Sequence, residues 1–253
     1  MRLAVDRAGE GDRLLVLLHG LGATRQVWQP MLQNADAKWN GRWIAPDLRG
    51  HGASQGAPPA HSLGFHAADV AELVLVSGSW SEIAVLGHSM GGAVALALAS
   101  GWFGFTPTRV FGLGIKVNWS AEELAKMREF AASPARTFSS KKEAVARYLK
   151  VSGLHGLVPP ESEIALSGVL EEDSAWRLAA SPATANVSPA PVKKMIAAAQ
   201  CPIHLARGEA DALVTLEQLR GYDDASVDIA GAGHNTMVEK PEAVLKWVES
   251  KLR

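Results

Sequence analysis

The sequence predicts an α/β protein: a mostly parallel, open twisted sheet with helices on both faces and a helical cap inserted before the last strands. Three observations predict this. Short, continuously apolar runs ending at Gly or Pro recur along the chain, as strands buried on both faces of a parallel sheet require. Helical patterns lie between the runs, which implies crossover connections. One stretch, from about residue 114 to 191, interrupts the alternation with helical patterns and no convincing strand.

The apolar runs come in order. Residues 14–18, Leu-Leu-Val-Leu-Leu, end at His19-Gly20, and residues 43–45 end at Pro46-Asp47. Residues 83–86 end at Gly87, and residues 109–113 end at Gly114. Residues 203–206 end at Arg207-Gly208, and residues 226–229 end at Ala230-Gly231. Helices are expected over 67–76, 90–100 and 192–199. A last helix opens with Pro241 in its first turn and repeats Val244, Trp247, Val248 and Leu252 as a 3.6-residue stripe. Inside the interruption, Ser120 with Glu123 is a capping box for a helix to about 132. Ser140 with Glu143 starts another to about 151, stopped by Gly153. Residues 161–170 and 174–180 read as two further helices. The expected organisation is therefore a core of residues 1–113 and 192–253, with 114–191 as a helical lid over the carboxyl edge of the sheet. Ligands of open α/β sheets bind at that edge.

Composition narrows the function classes. A chain of 253 residues makes one large domain, or one domain carrying an insertion. Its 47% hydrophobic and 20% charged residues supply a full core without metals or disulfides. With 25 Lys+Arg against 26 Asp+Glu and no basic run, nucleic acid is not an expected partner. The single cysteine, Cys201, excludes an internal disulfide framework and any CxxC motif, and points to a reducing compartment. Residues 1–12 contain no apolar leader, and the runs 14–18 and 93–99 are too short to span a bilayer. The expectation is a cytoplasmic protein with no membrane partner.

Gly87-His88-Ser89-Met90-Gly91 matches G-x-S-x-G between an expected strand and an expected helix. A strand that turns sharply into a helix holds the serine in a strained conformation, with φ above zero. The residues two before and two after crowd neighbouring chain, so both are glycine. The turn pushes the Ser89 hydroxyl out of the sheet and leaves the Met90 N–H at a helix N-terminus, which favours an anion. His19-Gly20-Leu21-Gly22 follows the first strong strand and can aim a second donor, the Leu21 N–H, at the same place. Two such donors make an oxyanion hole, and losing one typically costs ~3 kcal/mol of transition-state stabilisation.

A serine hydroxyl needs a base. Of the eight histidines, His19 and His51 lie in glycine-rich turns suited to structural hydrogen bonds. His88 flanks the serine and should point away from it, and His204 alternates into a strand. His61, His66 and His155 have no motif around them. His234 sits in the turn Ala230-Gly-Ala-Gly-His234, after the last strand, at the sheet's carboxyl edge. The orienting acid should follow a strand. Asp211, in Arg207-Gly-Glu-Ala-Asp211, is the best candidate, with Glu209 its local rival. Asp47 instead belongs to Asp47-Leu-Arg-Gly-His-Gly52, which reads as a tight structural turn.

These pieces resemble the α/β-hydrolase superfamily, in its small bacterial capped esterase branch. The resemblance is carried by His19-Gly20-Leu21-Gly22, Asp47 to Gly52, Gly87 to Gly92, Gly208-Glu-Ala-Asp211, and Gly233-His234 followed by Pro241-Glu242, in order along the chain. The order Ser89, Asp211, His234 is the order of that fold. Ser89 argues against haloalkane dehalogenases and epoxide hydrolases, which resemble this pattern but carry Asp there. The resemblance implies a serine hydrolase that needs no metal or organic cofactor, acting on a small-molecule ester-type substrate with water. A small to medium uncharged ester or lactone is the preferred substrate class. Met90, Trp28, Trp119, Trp176 and Met237 are candidate pocket walls, and Arg25 is a candidate cationic contact. A C–C bond hydrolase or thioesterase on the same triad, and a slow-turnover ligand receptor, remain alternatives, as do monomer and homodimer.

Overall fold

The structure, a computed structural model, describes residues 1–33, 39–56, 61–187 and 189–252. Its main sheet has seven strands in the order β1-β3-β2-β4-β5-β9-β10. These are β1 Val5–Gly9, β2 Arg13–Leu18, β3 Arg42–Pro46, β4 Glu82–His88, β5 Arg109–Leu113, β9 Ile203–Gly208 and β10 Val227–Ile229. Every pair is parallel except β1 with β3. Each of the six expected runs is a strand of this sheet. The edge strand β1 is an addition to the sequence reading.

Period-two alternation divides the strands between two cores. Leu15, Leu17, Leu86 and Phe111 face one side, with Trp28, Met31 of α1 (Gln29–Gln33) and Trp247 of α10 (Pro241–Lys251). Leu14, Val16, Leu18 and Val85 face the other, with α2 (Leu63–Ser77) and α3 (Met90–Leu98). Also surrounding the sheet are α7 (Val192–Ala197), α8 (Leu216–Arg220) and α9 (Thr236–Glu239). Burial on both faces is what made these strands read as unbroken apolar runs.

Residues 114–191 connect the neighbouring strands β5 and β9. They contain α4 (Ala121–Ala132), α5 (Lys141–Val151) and α6 (Glu163–Leu166). The two expected N-caps are present: Ser120 accepts from the Glu123 N–H at 3.1 Å, and Ser140 from the Glu143 N–H at 3.3 Å. The expectation of helices alone is corrected. A three-stranded antiparallel sheet, β6-β8-β7, is built from β6 Thr137–Phe138, β7 Val169–Glu172 and β8 Ala175–Leu178. The helix expected over 161–170 shrinks to α6, and that over 174–180 is a strand. Asp173 and Ser174 both have positive φ, 49° and 62°, so the chain reverses as a two-residue hairpin. Tyr148, Leu149, Ile164 and Val169 join the core cluster that contains Trp28, so the inserted segment packs firmly on the sheet layer.

A chain of buried histidines lies where the turn after β3 meets the inserted segment. His19 and His51 have ring centroids 5.0 Å apart, and His66 on α2 lies 6.3 Å from His51. His51 also forms a bridge with Ala180. Burial pushes the His19 imidazole down to about 4, and His51 and His66 down to about 3. Between those values and the ordinary 6.5, the unfolded chain binds protons that the folded chain refuses. Stability therefore rises with pH through that window and is lost as pH falls through it. Each such histidine steepens the slope by up to about 1.4 kcal/mol per pH unit. Neither ring nitrogen of His66 has a hydrogen-bond partner among the described residues. Denaturant midpoints at pH 7 and pH 5 should accordingly lie far apart in the native chain and closer together in His66→Leu. An unchanged gap would show that His66 does not bear this penalty.

Candidate active site

The site forms where the strand order reverses. From β2 the chain leaves toward β3, and from β4 it leaves toward β5 on the other side, so the carboxyl ends of β2 and β4 flank a crevice. Ser89 stands between β4 and α3 with φ 50° and ψ −113°, the strained elbow expected of it. The glycines around it are steric necessities. A Cβ on Gly87 would lie 2.2 Å from the Gly91 carbonyl oxygen, and one on Gly91 would lie 2.2 Å from that of Leu18. A Cβ on Gly20 would meet His88 Nδ1 at 2.9 Å and the Ser89 Cβ at 3.3 Å. Met90, as the first residue of α3, has no intrahelical acceptor for its N–H.

Asp211 and His234 meet across the ends of β9 and β10. His234 Nδ1 donates to Asp211 Oδ2 at 2.8 Å, and Asp211 Oδ1 accepts from the Leu213 N–H at 2.8 Å. The Asp211 side chain is fully buried, while that of His234 is 24% exposed, so the ring reaches an opening. With Nδ1 holding the proton, the neutral ring keeps its lone pair on Nε2. Glu209, the rival acid, instead accepts from the Gly231 N–H at 2.9 Å and steadies the turn that carries His234. Gly114, at φ +61°, lies against the pair: a Cβ there would stand 3.2 Å from Asp211 Oδ2 and 3.3 Å from His234 Nδ1.

His88 points away from the serine, as expected. Its Nε2 lies 2.9 Å from the His234 carbonyl oxygen, to which it donates, and burial holds its imidazole well below the ordinary value. It is thus a neutral strut under the His234 backbone. Asp47 is structural: it is buried and accepts from the backbone N–H groups of Arg25 and Ala53, each at 2.8 Å, as well as pairing with the Arg25 guanidinium.

A cavity of about 490 Å³ joins these groups. Leu21, Ser89, Met90 and His234 line it from the sheet side, and Trp119, Met127, Lys150 and Val151 line it from the inserted segment. Of the candidate walls, Trp119 and Met90 are in place. The others are elsewhere. Trp28 and Met237 are fully buried together in the core. Trp176 lies on β8 under Lys141, whose ammonium is 5.3 Å from the ring centroid. Arg25 is consumed by Asp6 and Asp47. Apolar character marked these residues as buried, without telling core from cavity. The sequence reading missed Met127, Lys150 and Asn235. Asn235 was discoverable from adjacency to His234; its side-chain N–H donates to the Ser152 carbonyl at 3.0 Å and ties the histidine loop to α5.

A family model described as "Alpha/beta hydrolase family" matches residues 15–247. The chain belongs to this family. Among curated relatives of this α/β hydrolase, the magnesium-chelatase 30 kDa subunit of Rhodobacter capsulatus is 32% identical over 162 residues, covering 59% of this chain and 54% of that protein. The pimeloyl-[acyl-carrier protein] methyl ester esterase of Proteus mirabilis is 35% identical over 91 residues, covering 36% of this chain and 32% of the other. The chain thus spans about half the length, or less, of these two relatives. Among solved structures, a thioesterase domain from the curacin biosynthetic pathway superposes with TM-score 0.79 at 19% identity, covering 98% of this chain and 95% of that one. That likeness is one of fold. No helix among the described residues is long and apolar enough to cross a membrane.

Proposed function

We propose that this α/β hydrolase is a serine esterase that cleaves carboxylic esters of small to medium apolar acyl groups through an acyl-enzyme on Ser89. One observation carries the reading: the strained Ser89 and the Asp211-oriented His234 line one cavity. His234 Nε2 takes the hydroxyl proton as Ser89 Oγ attacks the acyl carbonyl, and the buried Asp211 carboxylate stabilises the imidazolium. The Leu21 and Met90 N–H groups receive the oxyanion. The imidazolium then protonates the departing alkoxide, and water repeats the sequence on the acyl-enzyme.

Residues 114–191 act as the lid, contributing Ile115, Trp119, Met127 and Val187 to a wall that suits an apolar acyl chain. A volume of about 490 Å³ is in the range of small-molecule sites. The Proteus relative is a methyl ester esterase, which supports ester cleavage as the reaction here. Labelling with a fluorophosphonate and mapping the adduct by mass spectrometry tests the reading. The expected adduct is on Ser89 and absent in Ser89→Ala. Modification elsewhere, or equal labelling of the variant, would overturn it.

A further inference from the structure

We infer that Lys150 recognises a negative charge on the substrate, so that the preferred ester carries a carboxylate or phosphate at the far end of an apolar chain. This rests on the esterase reading and names the substrate class for that site. The charges lining the cavity are Lys116, Lys150 and Glu239, with the Asp211–His234 pair behind them. Two of the three are committed. Lys116 pairs with Glu123 and sits 4.8 Å from the Trp119 ring centroid, while Glu123 also accepts from the Ser120 N–H at 2.9 Å. Glu239 accepts from the Gly233 N–H at 2.8 Å. Lys150 has no carboxylate within 4.0 Å among the described residues.

Its position is set by the catalytic loop itself. Lys150 lies in the last turn of α5, and the Ser152 carbonyl two residues on is held by Asn235, the neighbour of His234. The helix carries Lys141, Lys142, Arg147 and Lys150 against a single Glu143, and of these only Lys150 lines the cavity. The cavity that holds both Ser89 and Lys150 has Met90, Ile115, Trp119 and Met127 in its walls. A substrate that satisfies both ends has its ester at Ser89, a hydrocarbon run against these walls, and an anion at the ammonium. A cation in a last turn also suits the helix dipole. That effect is blind to substrate charge, which allows the two roles to be separated.

The test compares p-nitrophenyl hexanoate with mono-p-nitrophenyl adipate, two esters of equal chain length of which only the second ends in a carboxylate. The kcat/KM of the adipate ester relative to that of the hexanoate ester should fall about tenfold in Lys150→Met. It should fall further in Lys150→Glu and recover in Lys150→Arg. Lys142→Met, an exposed residue of the same helix outside the cavity, should leave the ratio in place. A ratio indifferent to Lys150, or one falling equally in Lys142→Met, would overturn the inference while leaving the esterase reading intact. An ω-phosphonooxy hexanoate ester run in parallel tells which anion is preferred. Calorimetric binding of the N-butyl monoamide of adipic acid, which is not an ester, gives a readout free of chemistry. It should weaken at least about fivefold in Lys150→Met. If neither ester is turned over but this binding still depends on Lys150, the esterase reading fails and the recognition stands.

Discussion

Asp211→Asn should lower kcat on a simple nitrophenyl ester by about 10⁴-fold while the fold survives. Asp211 is fully buried and uses both oxygens, one on His234 Nδ1 and one on the Leu213 N–H. An asparagine has one oxygen. The Leu213 N–H demands it, because a buried unpaired donor costs ~1–3 kcal/mol. The new amide NH₂ must then face His234 Nδ1, which can meet it only as an acceptor. The ring proton moves to Nε2, the nitrogen that should receive the serine proton, and the base is disabled in place. Steady-state kinetics with a thermal melt checks this. A variant keeping more than roughly a tenth of native kcat would assign the orienting role to another acid. Glu209→Gln should lose less than roughly tenfold, since its carboxylate holds the Gly231 N–H rather than the imidazole.

Gly91→Ala should destabilise the chain by about 3 kcal/mol and abolish activity with it. The added methyl would sit 2.2 Å from the Leu18 carbonyl oxygen and 2.6 Å from that of His19. The first cannot retreat easily, because Leu18 is paired in register with Gly87 of β4. Gly22→Ala is the contrast. Gly22 has φ +74° but nothing among the described residues within 4 Å of its would-be Cβ, so only backbone strain of ~1 kcal/mol is expected. Denaturant unfolding of the two variants measures the difference. Equal effects would mean that the β2 backbone gives way and that contact with it does not demand the glycine at 91.

Much of this fold was legible because two-sided burial writes itself directly into sequence. Leu14-Leu-Val-Leu-Leu18 can be apolar at every position only where helices cover both faces of the strand. The edge strand β1 escaped for the same reason in reverse. Its outer residues are exposed, Asp6 and Arg7 interrupt it, and it pairs antiparallel on one side alone. The hairpin of β7 and β8 escaped because Leu170-Glu-Glu and Ala175-Trp-Arg-Leu178 favour helix locally. Pairing across the sheet overrode that preference. The sign of reversal, positive φ at Asp173 and Ser174, lay at residues that are not glycine.

The candidate triad was readable because its members are announced by sterics and order. A serine between two obligatory glycines, and an acid and a histidine each just past a strand, follow from local chain geometry. The cavity was not readable. Its walls come from segments far apart in the chain, and hydrophobicity reports that Trp28 and Trp119 avoid water without reporting that one packs in the core and the other faces the opening. The same holds for charge: Arg25 and Lys150 look alike in sequence, and only packing gives the first two carboxylates and leaves the second with none among the described residues. By itself, the sequence determined the six parallel strands of the main sheet, the elbow and the order of the candidate reacting groups, since each depends on a few neighbouring residues. Which side chains share a surface with those groups was decided by the tertiary structure, because that depends on every contact the folded chain makes at once.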